Sequence, residues 1–214
     1  AELIEQLAGQ FNLKTENVTL GNGSSETIQA AVQAIVLQAQ QQQKKVQVIV
    51  PDPTFNYAEL YAKPLGADIV KVPLNDKLEF DLATMKQKAD GFSGKSIVYL
   101  CNPNNPTGRL IAGGLLEKIL RVCRENNIAL FVDECFLSLS DGGTDLTPFL
   151  REFPQLFVLK AFTKSFGMAG LRLGYGLSAD GALLRKMSAA VPPWNVSALA
   201  QAAGVAALGD AEFL

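Results

Sequence analysis

Short apolar runs rich in β-branched residues recur along this chain, and most are followed by a longer stretch whose apolar residues return every three or four positions. The runs fall at 46–50 (VQVIV), 67–74 (ADIVKVPL), 96–101 (SIVYLC), 128–134 (IALFVDE), 156–162 (LFVLKAF) and 171–177 (LRLGYGL), with a shorter one, NVTLG, at 17–21. They predict about seven strands. Helical patterns start at Ser25 (SETIQAAVQAIVLQAQ), end near Gly66 (YAELYAKPLG), and start again at Asp81 (DLATMKQKA) and Leu115 (LLEKILRVCRENN). Nearly continuous apolar runs belong to strands buried on both faces, so the alternation predicts an α/β domain whose mainly parallel sheet is covered by helices.

The glutamines at 40–43 read as a polar helix end or loop, and neither an internal repeat nor a linker rich in Gly, Ser or Pro interrupts the pattern. One domain over 1–214 is expected. The chain begins at Ala1 and stops at Leu214 inside the helix-patterned stretch ALAQAAGVAALGDAEFL, which reads as truncation at both ends.

Composition narrows the chemistry. With 48% hydrophobic and 19% charged residues the chain can bury a large core, which argues against disorder. Its 19 basic and 21 acidic residues are interspersed, so no basic face advertises nucleic acid or an anionic membrane, and a small molecule is the default partner. Three cysteines at irregular spacings are unlike a secreted disulfide framework and predict a reducing compartment. No run approaches the roughly 20 apolar residues of a membrane span, and residues 1–20 lack a signal peptide's apolar core, so a cytoplasmic protein is expected. Histidine is absent, which removes Ser/His and Cys/His dyads and most zinc sites. No metal site is expected, and proton transfer falls to Lys, Asp, Glu, Tyr or Cys.

In an open parallel sheet, ligands sit beyond the carboxyl ends of the strands. The segments there are unusually polar: GNGSSE, DPTF, NPNNPTG, Asp133, and Thr163 with Lys164. Gly23, Ser24 and Ser25 open a helix and could aim N–H groups at an anion, although the same residues also make a plain helix start. In NPNNPTG two prolines fix an exposed turn that carries three asparagine amides, which is either a binding loop or simply a rigid one. Asp133 ends a strongly apolar run and needs either a cationic ligand or local donors. Lys164 sits at a strand end, not on a polar helix face, with a second cation, Arg172, eight residues on.

Taken in order, GNGSSE, PTF, NPNNPTG, VDE, TK and GLRLGY resemble the class I/II pyridoxal phosphate aminotransferases, in the branch of histidinol-phosphate aminotransferase and threonine-phosphate decarboxylase. The resemblance spans nearly the whole chain. It implies a three-layer α/β/α large domain, with a seven-stranded sheet in which the GLRLGYGL strand alone is antiparallel. It implies pyridoxal 5'-phosphate as cofactor, a small and phosphorylated amino compound as substrate, and a homodimer. The family pattern makes Lys164 the Schiff-base and catalytic lysine and Asp133 the partner of the pyridinium nitrogen. Asn105 would hydrogen-bond the cofactor's phenolic oxygen, and Phe55 would stack on its ring. Gly23, Ser24, Ser25, Thr163 and Arg172 would hold the phosphate.

Two positions depart from that pattern. Phe136 stands where many aminotransferases have a tyrosine that reaches the phenolic oxygen, and Ala161 replaces a Ser or Thr that contacts the phosphate, which implies a somewhat weakened phosphate site. Phe136 and PPWNVSALA at 192–200 are more similar to the decarboxylase. Three readings follow: transamination, decarboxylation, and a cofactor-binding domain without turnover. A nucleotide-binding Rossmann domain shares the alternation of elements, but neither G-x-G-x-x-G nor a P-loop occurs.

Overall fold

A computed structural model describes residues 2–210 and Phe213. The end of the helix-patterned stretch at 198–214 therefore lies largely outside the described residues. The seven strands are β1 (Val18–Asn22), β2 (Val46–Asp52), β3 (Asp68–Pro73), β4 (Lys95–Cys101), β5 (Ala129–Asp133), β6 (Leu156–Ala161) and β7 (Leu173–Ser178). They form one sheet in the order β1-β7-β6-β5-β4-β2-β3. β7 is antiparallel to both its neighbours and every other pair is parallel, the arrangement the resemblance implied.

Alternate side chains of each strand enter two separate cores. On one face, Phe131 and Phe157 pack with α2 (Gly23–Gln41), α3 (Tyr57–Ala62) and α7 (Gly181–Ala190). On the other, Leu130, Val132 and Val158 pack with α1 (Glu2–Gln10), α4 (Leu82–Asp90), α5 (Gly113–Glu125) and α8 (Ala198–Leu208). The result is a three-layer α/β/α sandwich. A further one-turn helix, α6 (Phe162–Ser165), follows β6 directly.

Local chemistry explains the ends of these elements. Asp81 caps α4 by accepting from Thr84 N (3.1 Å), and Asp180 caps α7 by accepting from Ala182 N (3.0 Å) and Leu183 N (3.1 Å). Beyond α3, a 3-10 turn at Lys63–Leu65 stops at Gly66, whose φ of +81° is left-handed. The expected strand at 171–177 is shorter at its start: Leu171 closes a 3-10 turn, Arg172 adopts a left-handed conformation, and β7 begins at Leu173.

Because β7 runs backwards, its amino end lies at the same sheet edge as the carboxyl ends of β1 and β6. Gly174 pairs with Gly21 and Ala161 there. A Cβ on Gly174 would stand 2.6 Å from Gly23 C and Ser24 N, so glycine is what lets the start of α2 lie against the sheet.

Candidate active site

At this edge a cavity of about 280 Å³ gathers Ser24, Ser25, Phe55, Asn105, Asp133, Phe136, Thr163, Lys164 and Arg172. These come from the amino end of α2, the segments after β2, β4 and β5, the start of α6, and the turn before β7. Nine of the ten residues singled out in the sequence thus share one space.

Gly23 is the exception. Its N–H donates to Arg172 O (3.0 Å), so that group is committed to joining α2 to β7 and is not available to an anion. With its φ of +74°, Gly23 also sets the entry into α2. Ser24 and Ser25, in the first turn of the 19-residue helix, have by position no acceptor in the preceding turn. Beside the cavity, these N–H groups and the positive end of the helix dipole make a geometry that would suit an anion.

The turn into α2 is held from outside. Glu26 Oε2 accepts from Asn22 N (2.7 Å) and from Asn195 Nδ2 (2.7 Å), while Asn22 Nδ2 donates to Asn195 O (2.7 Å). Asn195 is thereby tied to the amino end of the helix.

Asp133 is the last residue of β5. Its Oδ2 accepts from the Tyr99 phenol (2.8 Å) and its Oδ1 from Cys135 N (2.9 Å). Burial raises the carboxyl's pKa, and these hydrogen bonds pull against that rise. Among the described residues no Lys or Arg forms an ion pair with it, so this cavity-lining acid is suited to a cationic or proton-bearing ligand group.

The asparagines of NPNNPTG divide their work. Asn102 Oδ1 accepts from Ile111 N (2.8 Å), and Asn104 accepts from Thr54 Oγ1 (2.7 Å) while donating to Pro53 O (3.1 Å) and Thr107 Oγ1 (3.0 Å). Both hold the loop's shape. Asn105 lines the cavity. Phe55 stacks on Tyr57 with centroids 4.4 Å apart. Thr163 is buried, Lys164 is exposed one residue further on, and Lys164 Nζ lies 5.4 Å from the Phe136 ring centroid. Ala161 packs in the core at the end of β6.

Sequence reasoning missed Tyr57, Cys101 and Cys135, which also line the cavity, and Tyr99 behind it. Cys101 and Tyr99 sit in an apolar run and read as core; only strand register, which sets Cys101 against Asp133, brings them to the site. Burial pushes the Cys101 thiol up to about 12 and the Cys135 thiol well above its usual range, so both are neutral hydrogen-bonding groups and not nucleophiles.

A larger cavity of about 650 Å³ opens at the opposite sheet edge and is lined by residues at the carboxyl ends of α2 and α5. Lys44, Lys95 and Arg124 line it, and cations are expected beside helix carboxyl ends. Lys95 Nζ is already bonded to Asn127 O (2.6 Å), a structural arrangement.

Residues 1–214 match the family aminotransferase class I and II. The chain belongs to this family. Curated relatives include histidinol-phosphate aminotransferase 2 of Carboxydothermus hydrogenoformans, 35% identical over 99% of this chain and 56% of that protein. The histidinol-phosphate aminotransferase of Halalkalibacterium halodurans is 34% identical over 99% of this chain and 55% of its own length. This aminotransferase-family chain thus spans about half the length of the curated relatives it matches. Among solved structures, the histidinol-phosphate aminotransferase of Clostridium acetobutylicum superposes with a TM-score of 0.85 at 25% identity, covering 99% of this chain and 60% of that one. L-threonine-O-3-phosphate decarboxylase of Porphyromonas gingivalis shares the fold, with a TM-score of 0.81 at 22% identity over 99% and 59% of the two chains. Among the described residues no helix is long and apolar enough to cross a membrane.

Proposed function

We propose that residues 1–214 form the cofactor-binding large domain of a pyridoxal phosphate-dependent aminotransferase whose substrate is a small phosphorylated amino compound of the histidinol-phosphate type. The observation that supports this most is the shared cavity: an amine (Lys164), a buried acid without a cationic partner (Asp133), and an anion-binding set (Ser24, Ser25, Thr163, Arg172) line one space of about 280 Å³. That donor set fits the cofactor group by group, and the volume lies near the lower end of small-molecule sites, ~300–1,000 Å³.

Bound pyridoxal phosphate supplies an electrophilic aldehyde carbon and a ring that withdraws electrons when its nitrogen is protonated. Lys164 Nζ would hold the cofactor at that carbon, and the same amine is placed to move a proton at the substrate Cα. Asp133 would hold a proton on the ring nitrogen. Asn105 orients the phenolic oxygen, and Phe55 offers a flat apolar face. Arg172 and the Thr163 hydroxyl join the Ser24 and Ser25 N–H groups in holding the phosphate.

A second reading is decarboxylation of a threonine-phosphate-like substrate, favoured by one observation: the cavity wall beside Lys164 is Phe136, a ring with no hydroxyl. The assembled enzyme is read as a cytoplasmic homodimer. Trp194 and Leu199, 96% and 77% exposed on neighbouring segments, support a subunit contact, and three free cysteines fit a reducing compartment.

Borohydride reduction after incubation with pyridoxal phosphate, followed by peptide mass spectrometry, tests the cofactor reading. A label on Lys164 is expected; an unlabelled Lys164 overturns it. With the full-length protein, 2-oxoglutarate-dependent turnover of histidinol phosphate is expected, and carbon dioxide release from threonine phosphate would favour the second reading.

A further inference from the structure

We infer that Tyr99 is a positioning residue for Asp133: its buried phenol fixes which way the carboxylate faces and favours its ionised form, so that it meets a proton-bearing cofactor nitrogen without reorganisation. The inference deepens the proposed function and rests on its reading of Asp133.

The geometry points there from three sides. Tyr99 is 1% exposed and sits on β4 two residues before Cys101, on the same face of the sheet; Cys101 in turn pairs in register with Asp133 on β5. The phenol donates to Asp133 Oδ2 at 2.8 Å, and its oxygen accepts from the Cys101 thiol at 3.7 Å. With the thiol proton directed at the phenol oxygen, the phenol's single proton is committed to Asp133. Cys135 N holds the other oxygen at 2.9 Å, so each carboxylate oxygen has one protein donor and keeps lone-pair capacity for the cavity. A buried apolar strand would be served equally well by phenylalanine, as at Phe131 and Phe157 on the same face, so the hydroxyl is the feature that packing leaves unexplained.

The test uses the chain with Asp133 observed by carboxyl ¹³C NMR, first without cofactor. Tyr99→Phe is expected to raise the carboxyl pKa by about one unit, the effect of removing one donor from a charged acceptor. With pyridoxal phosphate, its dissociation constant should weaken about ten-fold in Tyr99→Phe. The same substitution placed on Asp133→Asn should add little. An equal loss in both backgrounds would mean that Tyr99 acts through packing, and an unmoved carboxyl pKa would overturn the inference outright.

Should Tyr99→Phe fail to fold, the Tyr99 phenolic proton in the unsubstituted chain is the second measurement. A downfield, slowly exchanging resonance that shifts in Asp133→Asn supports the inference, and its absence overturns it. If the unsubstituted chain binds no cofactor, the functional reading fails, while the cofactor-free titration still decides the coupling of Tyr99 to Asp133.

Discussion

The Lys164 ammonium nitrogen lies 5.4 Å from the centroid of the Phe136 ring, within reach of a cation–π contact at the mouth of the cavity. The ring steadies the amine electrostatically but offers no hydrogen bond to a ligand oxygen. A tyrosine there would keep the contact and add a donor. Phe136→Tyr is therefore expected to tighten pyridoxal phosphate binding roughly two- to ten-fold, measured by fluorescence titration. An unchanged or weaker affinity would show that this ring does not face the cofactor's oxygen.

The proposed function gives Arg172 the phosphate, which would separate it from residues that read the ring. Arg172→Ala should weaken pyridoxal phosphate binding roughly ten- to a hundred-fold, while leaving the binding of phosphate-free pyridoxal nearly unchanged. Equal losses for both ligands would place Arg172 elsewhere in the site.

Gly174 sets how closely α2 approaches the sheet. A methyl there meets the backbone at Gly23 and Ser24, which can give way only by moving the helix start. Gly174→Ala is expected to cost roughly 1–3 kcal/mol in urea unfolding and to weaken cofactor binding alongside. Full retention of both would mean that the turn has slack.

Glu134, on the sheet face opposite Asp133, has a fully buried side chain and contacts Lys160 Nζ at 2.9 Å, and Lys160 also reaches Asp145 at 3.4 Å. Burial outweighs the attraction of Lys160 and raises the Glu134 carboxyl from 4.5 to about 7. A raised acid adds most to stability below its unfolded value and loses that contribution as pH climbs through its folded value. Between about pH 4.5 and 7 the chain should thus lose stability on this account, by of order 3 kcal/mol at most. Asp145, whose carboxyl is lowered, acts the opposite way in a more acidic window. Glu134→Gln should flatten the slope of urea-unfolding stability between pH 5 and about 7.5. An unchanged slope would assign it to other groups.

Much of this molecule could be read from the chain. The strands β2, β4, β5, β6 and β7 were legible because strands buried along nearly their whole length are continuous apolar runs, and the shorter or edge strands β1 and β3 still carry enough apolar residues to be read. The helices α1 and α7 were not singled out, although each buries an apolar edge, Leu3, Leu7 and Ala8 in one and Leu183, Leu184 and Met187 in the other. Looking just beyond strand ends located Asp133, Thr163, Lys164 and Asn105, but by itself that rule is blind to Arg172, which precedes its strand because β7 is reversed. Arg172 was noticed only as a second cation eight residues after Lys164, and motif resemblance supplied its phosphate role. Tyr99 and Gly174 stayed hidden because their roles depend on register and on a close approach between segments far apart in sequence.

The strand order also bears on how the site comes into being. Among the described strands β1 is hydrogen-bonded only to β7, so residues 18–22 have no sheet partner until residues 173–178 have been made. Contacts of such long range form late. During translation β2 to β5 can pair in turn while α2 waits, and the cavity closes only when the backward strand slots between β1 and β6. An emerging chain would acquire its affinity for the cofactor in a single late step, which makes cofactor capture a natural reporter of completed folding.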